Sequence, residues 1–572
     1  MEEIIHEVLI KDIYWDRIYL HIELEGQHLN EREYVVSTNK DKFQYPLEFN
    51  DENNSIVINI TNVNDRKMLD NKIWYIKYKN IHYEKELEEY NILMEEYNKE
   101  IELNLNSDAV KPLIPLSWHN IPITLDLAYK LKDLDKIYRY GGSAYAYIIS
   151  MTPVKKRGQI TFSINTTFMM KNSSPQKRNF KVETKNIKKR IKKRFIYYSE
   201  KSFNLIYNII STLSPKKGNR ILIMSEARVP ISGNLKILDE RIKERGLDKD
   251  FKISYHFKKT LEHKRFQIFF IWLKLAILTA RQDYIFIDDF SPFFKYINLN
   301  KKTKLIQVWH AGVGFKSVGY ARFGEKGSPY PYDSPHRKYT HTIVGGSALK
   351  EVYAEAFGIN KNDCLPYGLI RLDGYTEKNK IDSFKTNFYN EHPEFKDKKI
   401  ILFAPTFRGT GQRSAHYPYE NLDLEKVYNL CADEYVFLIK MHPFIRKPIE
   451  ISEEYQDKII DFSTYPDINE LFYVTDILIT DYSSNIYEFA LQRKPIIFYA
   501  FDKYEYELLR SVHRKLDEYA PGKVCLDFDS VIGTIKNKDF ELEKLYKFLD
   551  ENFDQNNQYS SDQIIDHILL NK

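Results

Sequence analysis

From about residue 217 onward the chain alternates short, continuously apolar runs with longer helical stretches, and it does so twice. The first series is RILIMSE, YIFIDDF, KLIQVWHAG and HTIVGG, with helical stretches such as 233–245 and 266–280 between its runs. The second is KIILFAPTF, YVFLIKMHP, DILITDYSS, PIIFYAFD and KVCLDF. A strand that is apolar on both faces must be covered on both, and crossover helices do this for parallel strands. The pattern predicts an α/β chain with two Rossmann-like lobes, 215–372 and 373–572, facing a cleft between them. In such sheets ligands bind beyond the carboxyl ends of the strands, so the residues just after each run carry the functional weight.

The first 172 residues read differently. VLIKDIYW, RIYLHIEL, SIVINITNV, KIWYIKYK, AYAYIISM and ITFSINTTF alternate with period two and are rich in Ile, Tyr, Val and Thr, the pattern of half-buried antiparallel strands. They predict an N-terminal β-sandwich-like domain, with a helical insertion near 84–102 and nothing catalytic. A length of 572 residues accommodates this third unit at about 150 residues per domain.

Between these halves, 173–214 is a connector, and its stretch 177–194 holds ten Lys or Arg against the single acid Glu183. Lys188, Lys189, Arg190, Lys192, Lys193 and Arg194 are its densest part, and apolar residues such as Phe203, Leu205 and Ile209 follow. The whole chain carries only +5, so this patch accounts for the basic balance. A basic, partly amphipathic helical segment suits an anionic membrane surface, at about 1 kcal/mol per basic residue near lipid. The bland counterpart is a solvated linker. Nucleic acid is disfavoured, because no aromatic stacking platform or groove-reading motif accompanies the charge.

Cys364, Cys431 and Cys525 are scattered without CxxC spacing, so small core residues in a reducing compartment are expected. The start of the chain carries acids where a secretory signal needs a basic and then an apolar run, so no secretion is expected. Residues 266–280 are the most apolar stretch, but they number 15 and include Lys274, whereas a span needs about 20. A buried or interfacial helix is expected there.

Several strand ends bear chemistry. His310 follows KLIQVW and precedes Ala311, Gly312, Val313 and Gly314; its imidazole can take a proton from an alcohol while the glycines admit a substrate to the backbone. Asp288 and Asp289 follow YIFI, but neighbouring acids on a strand point to opposite faces, which argues against a metal pair. Arg408 ends the string APTFR, and Lys440 and His442 end LIKMH; all three can donate to phosphoryl oxygens, though rim cations are most often merely solvated. Ser483, Ser484 and Asn485 follow ILITDY, and Asn485 with Glu488 has capping-box spacing, so a hydroxyl-bearing helix start is expected there. HExxH, GxxxxGK[ST] and GxSxG are absent from these elements, which removes the common hydrolase and P-loop readings.

QVWHAGVGFKSVGY, ILFAPTFRGTG, LIKMHPF and ITDYSSNIYEFALQRKPIIFYAFD resemble the CDP-glycerol glycerophosphotransferase family of wall teichoic acid synthesis. MSEARVPISGNL, DYIFIDDF, VYAEAFGI, SAHYPY and IKDIYWDRIYL are similar to its ribitol-phosphate branch of primases and polymerases. The resemblance implies a GT-B fold, a CDP-ribitol donor and an undecaprenyl-diphosphate-linked teichoic acid acceptor, handled at the cytoplasmic face of the cell membrane by a peripheral enzyme. By motif, His310 becomes the base toward the acceptor hydroxyl, with Gly312, Gly314 and Asp289 around it on the acceptor side. Arg408, Lys440, His442, Ser483 and Ser484 become donor-binding residues, and Glu488 lies near the cytidine ribose. Many glycerol enzymes read WHG where this chain reads Trp309-His310-Ala311-Gly312, which favours ribitol. Ribitol 5-phosphate transfer with release of CMP needs no redox cofactor and leaves a divalent metal, and the oligomeric state, open. Glycerol-phosphate transfer is the competing reading among enzymes, and a non-catalytic scaffold binding membranes or polyanions is the competing reading outside them.

Overall fold

The computed structural model describes residues 8–79, 83–102, 118–140, 145–170, 201–309, 317–324, 328–329, 334–409, 414–432, 434–510, 513–554 and 559–572. These divide into two compact units: 1–177 with 322–333, and 178–321 with 334–572.

The first unit holds two antiparallel sheets. One orders Val8–Asp16, Tyr19–Gly26, Ser55–Asn59 and Phe49–Asn50. The other runs Gln44–Leu47, Tyr34–Thr38, Ile73–Lys79, Gln159–Met170, Tyr145–Lys156 and Lys136–Tyr140, with Trp118–Asn120 also paired to Ile73–Lys79. The helical insertion is Tyr83–Glu102. Alternation in Val8–Asp16 places Val8, Ile10 and Ile13 inward, with a register shift between Ile10 and Asp12. Phe323 belongs to this unit and packs on Tyr138 and Tyr147, with ring centroids 5.2 and 6.2 Å apart.

The second unit contains two six-stranded parallel sheets. In spatial order the first is Lys252–Phe257, Arg220–Ser225, Tyr284–Ile287, Lys304–Gln307, His341–Ile343 and Cys364–Leu365. The second is Ile459–Asp461, Tyr435–Ile439, Lys399–Phe403, Ile477–Thr480, Ile496–Tyr499 and Lys523–Cys525. In chain order the second reads 3-2-1-4-5-6, the order of doubly wound dinucleotide-binding sheets, so its direction of winding reverses between Lys399–Phe403 and Ile477–Thr480.

Strand parity explains why these runs are apolar throughout. Leu222, Met224, Ile285, Ile287 and Leu305 enter one core of the first sheet, while Ile221, Ile223, Phe286 and Ile306 enter another. The second sheet divides likewise, with Ile400, Leu402, Leu438 and Leu478 against Ile401, Phe403, Phe437 and Ile479. Cys364, Cys431 and Cys525 are buried thiols.

Two segments lie elsewhere than the sequence boundaries suggest. Residues 201–213, read as part of a separate connector, form a helix whose Phe203 and Tyr207 are buried in the core of the first parallel sheet. At the other end of the chain, Ile564, Ile565, Ile568 and Leu569 complete the second core of that same sheet. Arg241 and Arg245 tie the returning segment down by pairing with Asp562 at 2.6 and 3.0 Å, and Arg245 also pairs with Asp566 at 2.6 Å.

The helix Arg265–Ala280 buries Ile271, Leu275, Ala276, Thr279 and Ala280 but leaves Phe266 and Phe270 exposed. Among the described residues no helix is long and apolar enough to cross a membrane.

Candidate active site

The carboxyl ends of both parallel sheets gather polar side chains. In the second sheet three spatially consecutive strands, Tyr435–Ile439, Lys399–Phe403 and Ile477–Thr480, release Lys440 and His442, Thr406 and Arg408, and Asp481 to Ser484. The last two groups flank the point where the winding reverses, the usual crevice for a ligand in such sheets.

The two flanking loops are braced to each other. Thr406 donates to Asp481 Oδ1 through its backbone N and its Oγ1, both at 2.8 Å, and Tyr482 N donates to the same oxygen at 2.6 Å. Arg408 Nη1 donates to Asp481 Oδ2 at 2.8 Å, and its Nε and Nη2 grip Asp502 at 2.5 and 2.9 Å. Its guanidinium also lies within 5.5 Å of the ring centres of Tyr482, Phe501 and Tyr506. Burial works to lower the Arg408 pKa, but Asp481 and Asp502 outweigh it and hold the group charged. Arg408 is 9% exposed and each of its three guanidinium nitrogens is engaged by a carboxylate, so its local role is that of a strut between loops. Gly409, at φ 98°, lets the chain turn directly after it; a Cβ there would stand 2.0 Å from the Ser414 carbonyl oxygen.

Beside the strut, Lys440 Nζ donates to the Ser463 carbonyl at 2.7 Å, and burial lowers its pKa against the pull of Asp461 and Asp467. His442 is half-buried between Phe407 and Phe444, with centroids 4.7 and 4.8 Å away, and its Nδ1 accepts the Phe444 N–H at 3.1 Å. That bond assigns the neutral ring's proton to Nε2, the atom with which His442 can donate.

Ser483 is buried and its Oγ accepts from Asn485 N at 3.3 Å, while Ser484 is half-buried. The capping box expected of Asn485 and Glu488 does not form. Asn485 occupies the N-cap of the short helix Ile486–Ala490 without a side-chain cap bond, and Glu488 Oε1 pairs with Arg371 Nε at 2.5 Å. Burial pushes the Glu488 carboxyl up, against the opposing effect of Arg371.

In the first sheet, Asp288 is fully buried and pairs with Arg228 at 3.2 Å, while half-buried Asp289 accepts the Phe290 N–H at 2.7 Å. Glu226, directly after Arg220–Ser225, accepts from Trp272 Nε1 at 2.8 Å, from Ser291 Oγ, and from Phe293 N at 3.3 Å. Two amides that strand-end reasoning passed over also converge here. Asn234 Nδ2 donates to the Trp309 carbonyl, and Gln307 Oε1 accepts the Trp309 N–H at 2.9 Å. The residues read as base and neighbouring cleft glycines, His310, Gly312 and Gly314, lie outside the described residues, as do Lys188, Lys189, Arg190, Lys192, Lys193 and Arg194.

Set against known proteins, residues 205–570 match the family described as CDP-Glycerol:Poly(glycerophosphate) glycerophosphotransferase. The chain belongs to this family. Relatives of this chain include the teichoic acid ribitol-phosphate polymerase TarL of Staphylococcus aureus, 31% identical over 582 residues and covering 98% of both chains. TarK of the same organism, also named a teichoic acid ribitol-phosphate polymerase, is 34% identical, with 81% of this chain and 88% of TarK covered. A solved structure of the wall teichoic acid polymerase TagF, in a variant form, matches 69% of this chain and 98% of its own at 22% identity, with a TM-score of 0.50. That likeness concerns the α/β fold. The family match takes in both parallel sheets and the returning C-terminal segment.

Proposed function

We infer that this glycerophosphotransferase-family chain transfers ribitol 5-phosphate from CDP-ribitol to the terminal hydroxyl of a lipid-linked teichoic acid acceptor, as a primase or polymerase. The observation that carries the choice of ribitol is the likeness to TarL, which spans 98% of both chains and is named for ribitol-phosphate polymerisation. The architecture that suits the reaction is GT-B: two lobes built on the parallel sheets, facing a cleft, with a β-sandwich-like domain ahead of them. The donor's pyrophosphate sits at the winding reversal of the second sheet. There Nε2 of His442, the Lys440 ammonium and the hydroxyls of Ser483 and Ser484 supply hydrogen bonds. Arg408 keeps their loops in register and contributes a positive field, and Glu488 lies toward the cytidine ribose.

Gly312, Gly314 and Asp289 belong to the acceptor side, where His310 is the base. It takes the proton of the acceptor's terminal hydroxyl as that oxygen bonds to the β-phosphorus. The bond from the β-phosphorus to the bridging oxygen breaks, and CMP leaves with the electron pair. Negative charge grows on the transferred phosphoryl and on CMP, and preorganised donors stabilise it best where water is excluded.

The acceptor's lipid places the reaction at an anionic membrane surface, peripherally on the cytoplasmic face. Two adjacent helices support this placement. Leu205, Ile209 and Leu213 share one face of helix 201–213 and are 61, 49 and 74% exposed. Phe266 and Phe270, on the helix that packs on Phe203 through Phe269, are 74 and 50% exposed. The basic residues 188–194 immediately precede the first of these helices in the chain.

The deciding experiment follows CMP release from CDP-ribitol and from CDP-glycerol on a lipid-linked acceptor. Release from CDP-ribitol at least tenfold faster is expected, and His310→Ala should remove it while CDP binding persists, a base contributing typically 10²–10⁴-fold. A preference for CDP-glycerol overturns the alditol assignment. An absence of CDP binding turns the protein into a scaffold.

A further inference from the structure

The first parallel sheet has a winding reversal of its own. In chain order it reads 2-1-3-4-5-6, so the reversal lies between Arg220–Ser225 and Tyr284–Ile287, and a ligand crevice belongs beyond their carboxyl ends. Arg228 stands there, in the loop after the first of these strands, and its Nη1 pairs at 3.2 Å with Asp288, which follows the other. The pair is open on one side. Asp288 is fully buried, whereas the Arg228 side chain is 28% exposed, and among the described residues nothing else bonds to its guanidinium. Arg408 in the second sheet is the contrary case, with all three nitrogens on carboxylates. Arg228 keeps Nε and Nη2 as donors to spare.

Its position adds a second positive feature. A Cβ at Gly233 would stand 3.1 Å from Arg228 Nη1, so the guanidinium lies against the first residue of the helix Gly233–Glu244. A helix start carries positive partial charge, and half-buried Ser232 at this N-cap makes no side-chain capping bond. Asn234 Nδ2 pins the helix start to the next strand end by donating to the carbonyls of Val308, at 3.3 Å, and Trp309. The acids of the two strand ends limit the charge of any anion bound here. Glu226 is turned inward onto Trp272, Ser291 and Phe293, but Asp288 and half-buried Asp289 remain, so a monoanionic phosphodiester suits the crevice better than a pyrophosphate.

We propose that Arg228, with Ser232 and the first turn of the helix Gly233–Glu244, binds a backbone phosphodiester of the teichoic acid acceptor and so holds the end of that chain on the first sheet. The guanidinium fork meets the two non-bridging oxygens of the phosphodiester, and the helix start faces its charge. The proposal rests on the reading of the first sheet as the acceptor side.

The test compares Arg228→Gln, Arg228→Lys and the double variant Arg228→Gln with Asp288→Asn, each in the full chain. The readouts are KM for the lipid-linked acceptor and for CDP-ribitol in CMP release, binding of a soluble ribitol-phosphate oligomer by calorimetry, and Tm. Arg228→Gln should raise the acceptor KM and weaken oligomer binding about tenfold or more, with KM for CDP-ribitol within twofold. Arg228→Lys keeps the charge without the fork and should fall between parent and Gln. The double variant leaves no buried charge unpaired, so it decides the question even if Arg228→Gln does not fold, and it should retain the acceptor defect in full. A double variant with parental acceptor KM and oligomer binding makes Arg228 no more than the counter-ion of Asp288 and overturns the proposal. A rise confined to the KM for CDP-ribitol also overturns it, by giving the crevice to the donor. A parent that releases no CMP from CDP-ribitol overturns the functional reading alone, since oligomer binding still decides the phosphodiester site: its loss in the double variant upholds the site, and its persistence overturns it.

Discussion

Replacing Arg408 by Met asks what the strut between the loops after Lys399–Phe403 and Ile477–Thr480 is worth. The side chains of Arg408, Asp481 and Asp502 are 11, 1 and 17% exposed. Asp502 sits near enough to solvent to be rehydrated when the guanidinium goes. Asp481 does not, and although its Oδ1 keeps three donors, its Oδ2 loses Arg408 inside a closed core. Removing one partner of a buried pair costs about 3–5 kcal/mol, and the retained donors place this case near 3 kcal/mol. At roughly 2–4 °C per kcal/mol for a domain of this size, the transition that melts the second sheet should fall by roughly 6–12 °C.

Because the chain has several units, that transition is best located by hydrogen exchange of Lys399–Phe403 and Ile477–Thr480 alongside calorimetry. CDP affinity should fall with it, since the loops bearing Ser483 and Thr406 lose their brace. A triple variant, Arg408→Met with Asp481→Asn and Asp502→Asn, leaves no buried charge and should recover at least half of the lost stability. The reasoning is refuted if Arg408→Met melts within about 2 °C of the parent yet binds CDP more weakly. That outcome would make the guanidinium a direct donor ligand.

Burial pulls the pKa of His336, enclosed beside Tyr339 and Phe357, down to about 3 from the usual value near 6.5. Between those values the unfolded chain binds the extra proton, so stability present above pH 6.5 is lost as pH falls toward 3. His336→Asn should flatten this loss in denaturation measured across that range, and equal slopes in parent and variant would refute it. Replacing Leu205, Ile209 and Leu213 by Gln should leave Tm unchanged, since all three are exposed, but should weaken sedimentation with anionic vesicles at least tenfold. Undiminished sedimentation would return membrane attachment to the basic residues 188–194 alone, whose contribution is about 1 kcal/mol each near lipid.

The parts of the molecule legible in the sequence are those set by local pattern. Ile221 to Met224 in RILIMSE and Ile400 to Phe403 in KIILFAPTF are unbroken apolar runs because both faces of their strands are covered, and they stand in the parallel sheets. Tyr34–Thr38 and Gln44–Leu47 escaped notice because neither stands out as an alternating run and Pro46 argues against a strand, which it can join only where no ladder donor is needed. Helix 201–213 carries two different apolar faces. Phe203 and Tyr207 are core while Leu205 and Ile209 are exposed, a division that composition cannot make.

The same limit governs the site. Arg408, Lys440, His442 and Ser483 stand out in the sequence because each follows an apolar run, and each does follow a strand of the second sheet. What each does there is decided from far away. The carboxylates that turn Arg408 into a strut lie 73 and 94 positions along, and Arg371, which draws Glu488 out of its expected capping box, comes from the segment before the second sheet. Asn234 reads locally as a weak helix former after Ser232 and Gly233. The carbonyls of Val308 and Trp309, 74 and 75 positions on, accept from its amide. A cation at a strand end is therefore a reason to look for an anion, and the fold decides whether that anion is a substrate or a neighbouring carboxylate. For Arg408 the anions in the structure are its neighbours, Asp481 and Asp502, which engage all three guanidinium nitrogens.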